Sequence, residues 1–261
     1  MANFYGKFVW YELMTTDMKA AEAFYRNVVG WGAKDAGLPN HAYTLFTIGE
    51  MPTAGMMALP PEAPAGARPG WIGYVAVDDV DARAKEIAES GGAVCHMPTD
   101  IPGIGRFAVV SDPQNVVFAL FKPGEGSPGE PPPPWTPGRT GWHELHAADG
   151  PSAFAYYSKL FGWTKGDALD MGPMGVYQIF NHDGVMAGGI FTKPSAEPVP
   201  YWLFYFNVAE INAAVERVKA GGGQILNGPM EVPGGSMIVQ CLDPQGAMFA
   251  LVEPRGGPQS H

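Results

Sequence analysis

The chain has 261 residues, of which 46% are hydrophobic and 16% charged, and its formal net charge is −10. That is a globular composition, long enough for two ordinary domains, and the acidic balance, with no block of Lys and Arg, argues against nucleic acid or anionic membrane as the main partner. No segment approaches the roughly 18 apolar residues of a membrane span, and MANFYGKFVWYELM lacks a basic stretch followed by an apolar one, so a soluble, cytoplasmic protein is expected.

In chain order, KFVWYELMT reads as a strand and DMKAAEAFYRNVVG as a helix. Asp17 suits the N-cap, Ala20, Phe24 and Val28 give one apolar face, and Gly30 closes the helix. Three short strands follow, up to about Pro60. A further strand starts at Trp71, and a second helix runs from about Val80 to Ser90, stopped by Gly91 and Gly92. Strands follow again and end in VVFALFK. Gly 35 and Pro 26 suit this strand-and-turn pattern. Cys95 and Cys241 lie far apart in no CxxC arrangement, so free, largely buried thiols are expected.

A Pro- and Gly-rich connector comes next, including four consecutive prolines, Pro131 to Pro134, and its composition forms no core element. After it the chain repeats itself. WYELMTTDMKAAEAFYRNVVGW from Trp10 matches WHELHAADGPSAFAYYSKLFGW from Trp142, and YTLF from Tyr43 matches YQIF from Tyr177. WIGYVAVDDV from Trp71 matches WLFYFNVAEI from Trp202, and SDPQNVVFALFKP from Ser111 matches LDPQGAMFALVEP from Leu242. The four offsets (142 − 10, 177 − 43, 202 − 71, 242 − 111) stay between 131 and 134. The expected domains are therefore 1–122 and 142–261, with 123–141 as the linker. Each copy divides again into strand, helix, then strands, which predicts an α+β class with helices on one face of each curved sheet.

These features resemble the vicinal oxygen chelate superfamily, which includes glyoxalase I, extradiol dioxygenases and bleomycin-resistance proteins. The resemblance rests on AFYRNVVGW and AYYSKLFGW after the first strand of each copy, and on DPQNVVFAL and DPQGAMFAL before the last. It covers nearly the whole chain and implies two tandem glyoxalase-like domains, each of two βαβββ modules with helices outside a curved sheet. It also implies a cleft in which the superfamily's enzymes hold a divalent metal with His, Gln or Glu. Carried over residue by residue, the first-strand ligand positions hold Trp10 and Trp142. The last-strand positions hold Ala119 and Ala250, and the strand opening each second module offers Ile72 and Leu203. The remaining position falls in TAGMMAL or MAGGIFT, which contain no carboxylate or imidazole. Indole cannot ligate a metal. No metal and no other cofactor are therefore expected, the alternative being a divalent ion such as Zn, Ni, Fe or Mn.

The stretch GWHELHAADG places His143, Glu144 and His146 close together, but position 147 is Ala, so it is no HExxH zinc motif. In a strand, Trp142, Glu144 and His146 share one face, and His143 points the other way with Leu145. The matching set in the first copy is Trp10, Glu12 and Met14. The second modules add Tyr74, and Tyr205 with Asn207. His41, His96 and His182 are expected in loops, with His261 in the tail. The Asp100-Ile-Pro-Gly and Glu231-Val-Pro-Gly stretches read as turns.

An aromatic-walled pocket with a few placed polar groups is the usual form of a small-molecule site. The expected ligand-binding residues are Trp10, Glu12, Met14, Tyr74, Trp142, Glu144, His146, Tyr205 and Asn207. The expected partner is a small, partly aromatic or cationic molecule. If the chain is an enzyme, Glu144 and His146 are the catalytic candidates, as an acid/base pair or atypical metal ligands, in a lyase, isomerase or dioxygenase. A tandem chain of this kind is expected to be a monomeric pseudo-dimer or a homodimer.

Overall fold

The computed structural model describes residues 4–38, 42–60, 63, 66–124 and 133–255. His41, His261 and the centre of the connector, with Pro131, lie outside the described residues.

The first copy contains β1 (Phe8–Thr15), α1 (Met18–Val28), β2 (Gly32–Asp35), β3 (Tyr43–Ile48), β4 (Met51–Ala58), β5 (Gly70–Ala76), α2 (Val80–Glu89), β6 (Ala93–Ile101), β7 (Gly105–Ser111) and β8 (Val117–Pro123). The second contains β9 (Thr140–Ala147), α3 (Gly150–Phe161), β10 (Thr164–Asp170), β11 (Val176–His182), β12 (Val185–Thr192), β13 (Tyr201–Asn207), α4 (Ile211–Ala220), β14 (Gln224–Glu231), β15 (Met237–Leu242) and β16 (Met248–Glu253). The described residues form two eight-stranded sheets, one per copy, ordered β2-β3-β4-β1-β5-β8-β7-β6 and β10-β11-β12-β9-β13-β16-β15-β14. Within each module the first and last strands pair in parallel, joined through the helix and the two strands between them, and the others pair antiparallel. This is the α+β architecture that the repeat predicts. No helix among the described residues is long and apolar enough to cross a membrane.

Local chemistry sets the helix limits. Asp17, Asp79 and Asp149 each accept a backbone N–H three residues on, which satisfies an amide the helix leaves unpaired. Gly162 ends α3 at φ 73°, a left-handed position open to glycine at little cost. The buried face of α1 is Ala21, Phe24, Tyr25 and Val28, with Ala20 only at its edge. The expected four-residue spacing places one stripe, but a stripe that fills a core is wider.

Chain packing forms two compact units, and each takes one module from each copy. One unit comprises Met1–Trp10, Ile72–Pro128 and His143–Leu203, and the other Tyr11–Trp71, Gly129–Trp142 and Phe204–His261. The motifs that carry the family resemblance bind the copies inside each unit. In the first unit Asp112 turns the chain by accepting the Gln114 and Val116 amides at 2.8 Å each, and its other oxygen takes the Tyr157 hydroxyl of α3 at 3.0 Å. In the second, Asp243 accepts from Gln245 and Ala247, and its other oxygen takes Tyr25 of α1 at 3.0 Å. The Gly-Trp that follows each helix has the same role. Trp163 Nε1 donates to Gly6 O, and Trp31 Nε1 to Gly138 O, both at 2.8 Å. Each of these indoles fastens the segment that leads into the other copy's first strand.

Some expectations change. His96 lies in β6 and His182 in β11, rather than in loops. Cys241 is buried, but Cys95 is exposed on β6. Both thiols are free, as the spacing predicts.

Candidate functional site

Strand alternation in β9 puts Glu144 and His146 on one face, and both are buried, at 8% and 3% exposure. His146 Nε2 lies 2.9 Å from Glu144 Oε1. Its other nitrogen, Nδ1, lies 2.8 Å from Glu197 Oε2, in the loop between β12 and β13. Tyr177 of β11 donates its hydroxyl to Glu144 Oε2 at 2.9 Å. The imidazole stacks on Tyr201 at 4.4 Å and meets the edge of Phe191 at 4.6 Å. Phe191 sits directly across from His146 in the parallel β9–β12 pair.

A ring that faces an ionised carboxylate at each nitrogen donates from both, which is the imidazolium form. Burial alone would pull the His146 pKa down. The hydrogen bonds and charges of Glu144 and Glu197 outweigh it and raise the pKa to about 9. Burial, and then the charges of Glu197 and Glu144, push the Tyr201 hydroxyl well above the usual phenol range. Tyr201 is therefore a neutral phenol at physiological pH. The cluster holds two carboxylates and one internal cation, all within one compact unit.

A glycine makes room for Tyr177. Gly189 faces Glu144 across β12, and a Cβ there would run into the Tyr177 ring. The first copy repeats the arrangement. Glu12 is 8% exposed and accepts the Tyr43 hydroxyl at 2.7 Å, and Gly55, opposite Glu12, leaves space for that ring. The copies diverge at the next residue on the same strand face, where Met14 lies opposite Met57 in place of His146 opposite Phe191.

Of the residues singled out from sequence, the structure brings Glu144 and His146 into direct contact. Trp10, Tyr74, Glu144 and His146 belong to one compact unit, and Glu12, Met14, Trp142, Tyr205 and Asn207 to the other. Trp10 and Trp142 are half-buried. Tyr74 packs near Phe107 and Phe121. Tyr205 accepts from Gln240 Nε2 at 2.9 Å. Asn207 donates to the carbonyls of Pro134 and Thr136, clamping the end of the connector. His143, on the opposite face, binds Ala187 O through Nδ1 and stacks on Phe8. Tyr43, Tyr177, Phe191, Glu197 and Tyr201 are additions from the structure. Of two surface hollows, one of about 280 Å³ includes Tyr43 in its lining, and one of about 450 Å³ is lined by other residues.

Comparison with known proteins adds the lineage. The profile of the Glyoxalase/Bleomycin resistance protein/Dioxygenase superfamily matches twice, over residues 7–120 and 139–251. The chain belongs to this superfamily. It is 30% identical over 250 residues to the glyoxylase-named protein CFP32 of Mycobacterium tuberculosis, covering 94% of both chains. It is 32% identical over 267 residues to the anthracycline biosynthesis protein DauV of Streptomyces sp. (strain C5), covering 96% of this chain and 94% of that one. Among solved structures, the Mn(II)-bound glyoxalase of Novosphingobium aromaticivorans aligns with a TM-score of 0.66 at 16% identity, over 97% of this chain and 83% of the other. At that identity the likeness speaks for the fold alone.

The family resemblance implies a divalent metal in the superfamily's enzymes, and the positions it gives for the ligands hold no donor side chain in this chain. Trp10, Trp142, Ile72, Leu203, Ala119 and Ala250 offer no ligand atom. Beside Glu12 and Glu144, the facing strands present Gly55 and Gly189 under tyrosine rings. Among the described residues no group of three or more His, Cys, Asp and Glu is arranged to hold a metal ion.

Proposed function

We propose that this superfamily member binds a small planar aromatic molecule, without the metal site of its enzymatic relatives, at the face of β9 that carries Glu144 and His146. The observation that carries the reading is the buried His146, bracketed by Glu144 and Glu197 and stacked on Tyr201. The fold does not require this cluster, since the first copy builds the same strand pair with Met14 and Met57. Burying Glu144 and His146 with Glu197 half-buried beside them costs desolvation that a hydrophobic pair avoids. A ligand supplies the reason to keep them. Phe191, Tyr201 and Tyr177 provide aromatic surface around the charges, the usual make-up of a small-molecule site. His146 already supplies a cation to Glu144, which favours the aromatic ligand over the cationic one. DauV, named for anthracycline biosynthesis, points to a planar, oxygen-rich polycycle as the ligand class.

The test is titration of purified, tag-free protein with alizarin, anthraquinone-2-carboxylate and daunorubicin, followed by calorimetry. Binding in roughly the micromolar range, weakened in His146→Ala, is the expected result. Failure of all three to bind rejects the reading. A second reading, a lyase, isomerase or dioxygenase acting through Glu144 and His146, is favoured by their 2.9 Å contact. Elemental analysis separates the two. Stoichiometric Zn, Ni, Fe or Mn, lost in a Glu144→Ala/His146→Ala variant, moves the assignment to the enzyme.

A further inference from the structure

The two carboxylates on His146 are held in different ways. Glu144 is strand-borne, with a side chain only 10% exposed, and its second oxygen is fixed by Tyr177. Glu197 is loop-borne, and its side chain is 27% exposed. It enters the cluster from a segment whose neighbours Ala196, Pro198 and Val199 are exposed. The segment is stiff, because Pro194, Pro198 and Pro200 fix their own φ angles and Lys193 Nζ donates to Glu197 O. His146 itself cannot follow the loop, since Tyr201 stacks on its ring and β9 holds its backbone. One nitrogen of the imidazolium is thus held from the strand side, and the other is capped by a part-exposed carboxylate carried on a loop, which the Tyr201 hydroxyl also bonds.

We propose that Glu197 is a built-in stand-in for the carboxylate of an aromatic acid, which takes the Nδ1–H of His146 when the 193–200 loop swings outward. The inference rests on the aromatic-ligand reading above and names its acidic group. Carboxylate for carboxylate is the exchange that leaves the buried cation paired. A neutral aromatic would strand a buried N–H, and a cation would repel the ring. The displaced Glu197 returns to water, where an ionised carboxylate is best solvated, so only the ligand's carboxylate is newly desolvated. The charge of the cluster is the same before and after. The first copy, with Met14 in place of His146, has no imidazolium to exchange on and should bind no acid in this way.

Anthraquinone-2-carboxylate and its 2-hydroxymethyl counterpart make a matched pair of probes, titrated against the parent, Glu197→Gln and Glu197→Ala. Removing the competing charge should tighten the carboxylate probe by roughly tenfold or more, and the alcohol by much less. His146→Gln should erase the difference between the probes. In the parent, NMR gives an independent readout. The carboxylate probe should shift the His146 Nδ1 proton and lower the exchange protection of the 195–199 amides, and the alcohol should do neither. Equal responses to the two probes overturn the exchange and leave the aromatic reading standing. Absence of the Nδ1 shift in the parent overturns the exchange, whether or not the variants fold. If neither probe binds any of the three proteins, the exchange falls, and the aromatic reading falls with it when alizarin and daunorubicin also fail to bind.

Discussion

An imidazole flanked by two carboxylates holds its proton more tightly than a free one, and that difference is a contribution to folding. The folded pKa of His146 is about 9, against 6.5 for the unperturbed group. A raised pKa of this kind stabilises fully below about 6.5 and loses its effect as pH rises through about 9. Urea unfolding should therefore show the parent losing on the order of 2 kcal/mol between about pH 6 and pH 10, relative to His146→Gln. Parallel curves for the two proteins would mean that the cluster is not charged as described. Gly189 offers a second test, because its φ is ordinary and only space is at issue. A methyl group at that position meets a buried Tyr177 ring that has little room to move. Gly189→Ala should cost about 1–3 kcal/mol and should weaken the aromatic probes along with stability, read by thermal melts and the same titrations. Sequence places Glu144 and His146 on one face, since they lie two residues apart on a strand, and the structure adds their contact. It shows Tyr177 only in outline, as the counterpart of Tyr43 with glycines at Gly55 and Gly189. Glu197 is not legible at all. It lies 51 residues from His146, in a Pro-rich loop with no periodicity to aim it.

The elements follow from local rules more completely than the contacts between them. Aspartates at 17, 79 and 149 start helices, and glycines at 30 and 162 end them, because caps and left-handed positions are chemistry of single residues. The Asp-Pro-Gln turns are equally local, with one aspartate oxygen serving two amides. The second oxygen is not local. Asp112 takes Tyr157 and Asp243 takes Tyr25, so an aspartate in one copy satisfies a tyrosine in the other. Repeat alignment pairs Tyr25 with Tyr157 and Asp112 with Asp243 but says nothing of this exchange. It makes a prediction at the element scale. Tyr157→Phe leaves the Asp112 carboxylate buried beside a hydrocarbon edge and should cost about 1–3 kcal/mol. Tyr25→Phe should cost a similar amount and also removes the acceptor of Trp71 Nε1. A destabilisation below about 0.5 kcal/mol in both variants, measured by denaturant midpoint, would show that these bonds do not hold the helices.

At the scale of the whole chain, the two copies are successive in sequence and interleaved in packing. Each compact unit contains one module from either side of the connector. In one of them α1 of the first copy lies against α4 of the second, Phe24 and Tyr25 meet Phe249, and Trp31 meets Phe206. Each buried aromatic side chain of this kind is worth about 1.5–3 kcal/mol. A domain's total stability is about 5–15 kcal/mol. Losing the partner copy therefore removes a sum comparable with everything that holds a half together. Residues 1–124 and 133–261, made as separate chains, should each bind a hydrophobic dye and unfold without a sharp transition. Mixed in equal amounts, they should recover the cooperative unfolding and the near-ultraviolet circular dichroism of the parent. A single half that melts cooperatively by itself would refute this account. The same interleaving means that the chain already contains the second copy which a one-copy protein would have to recruit. The intact protein should therefore sediment at 27.8 kDa, and a mass of twice that would place a further apolar surface between chains.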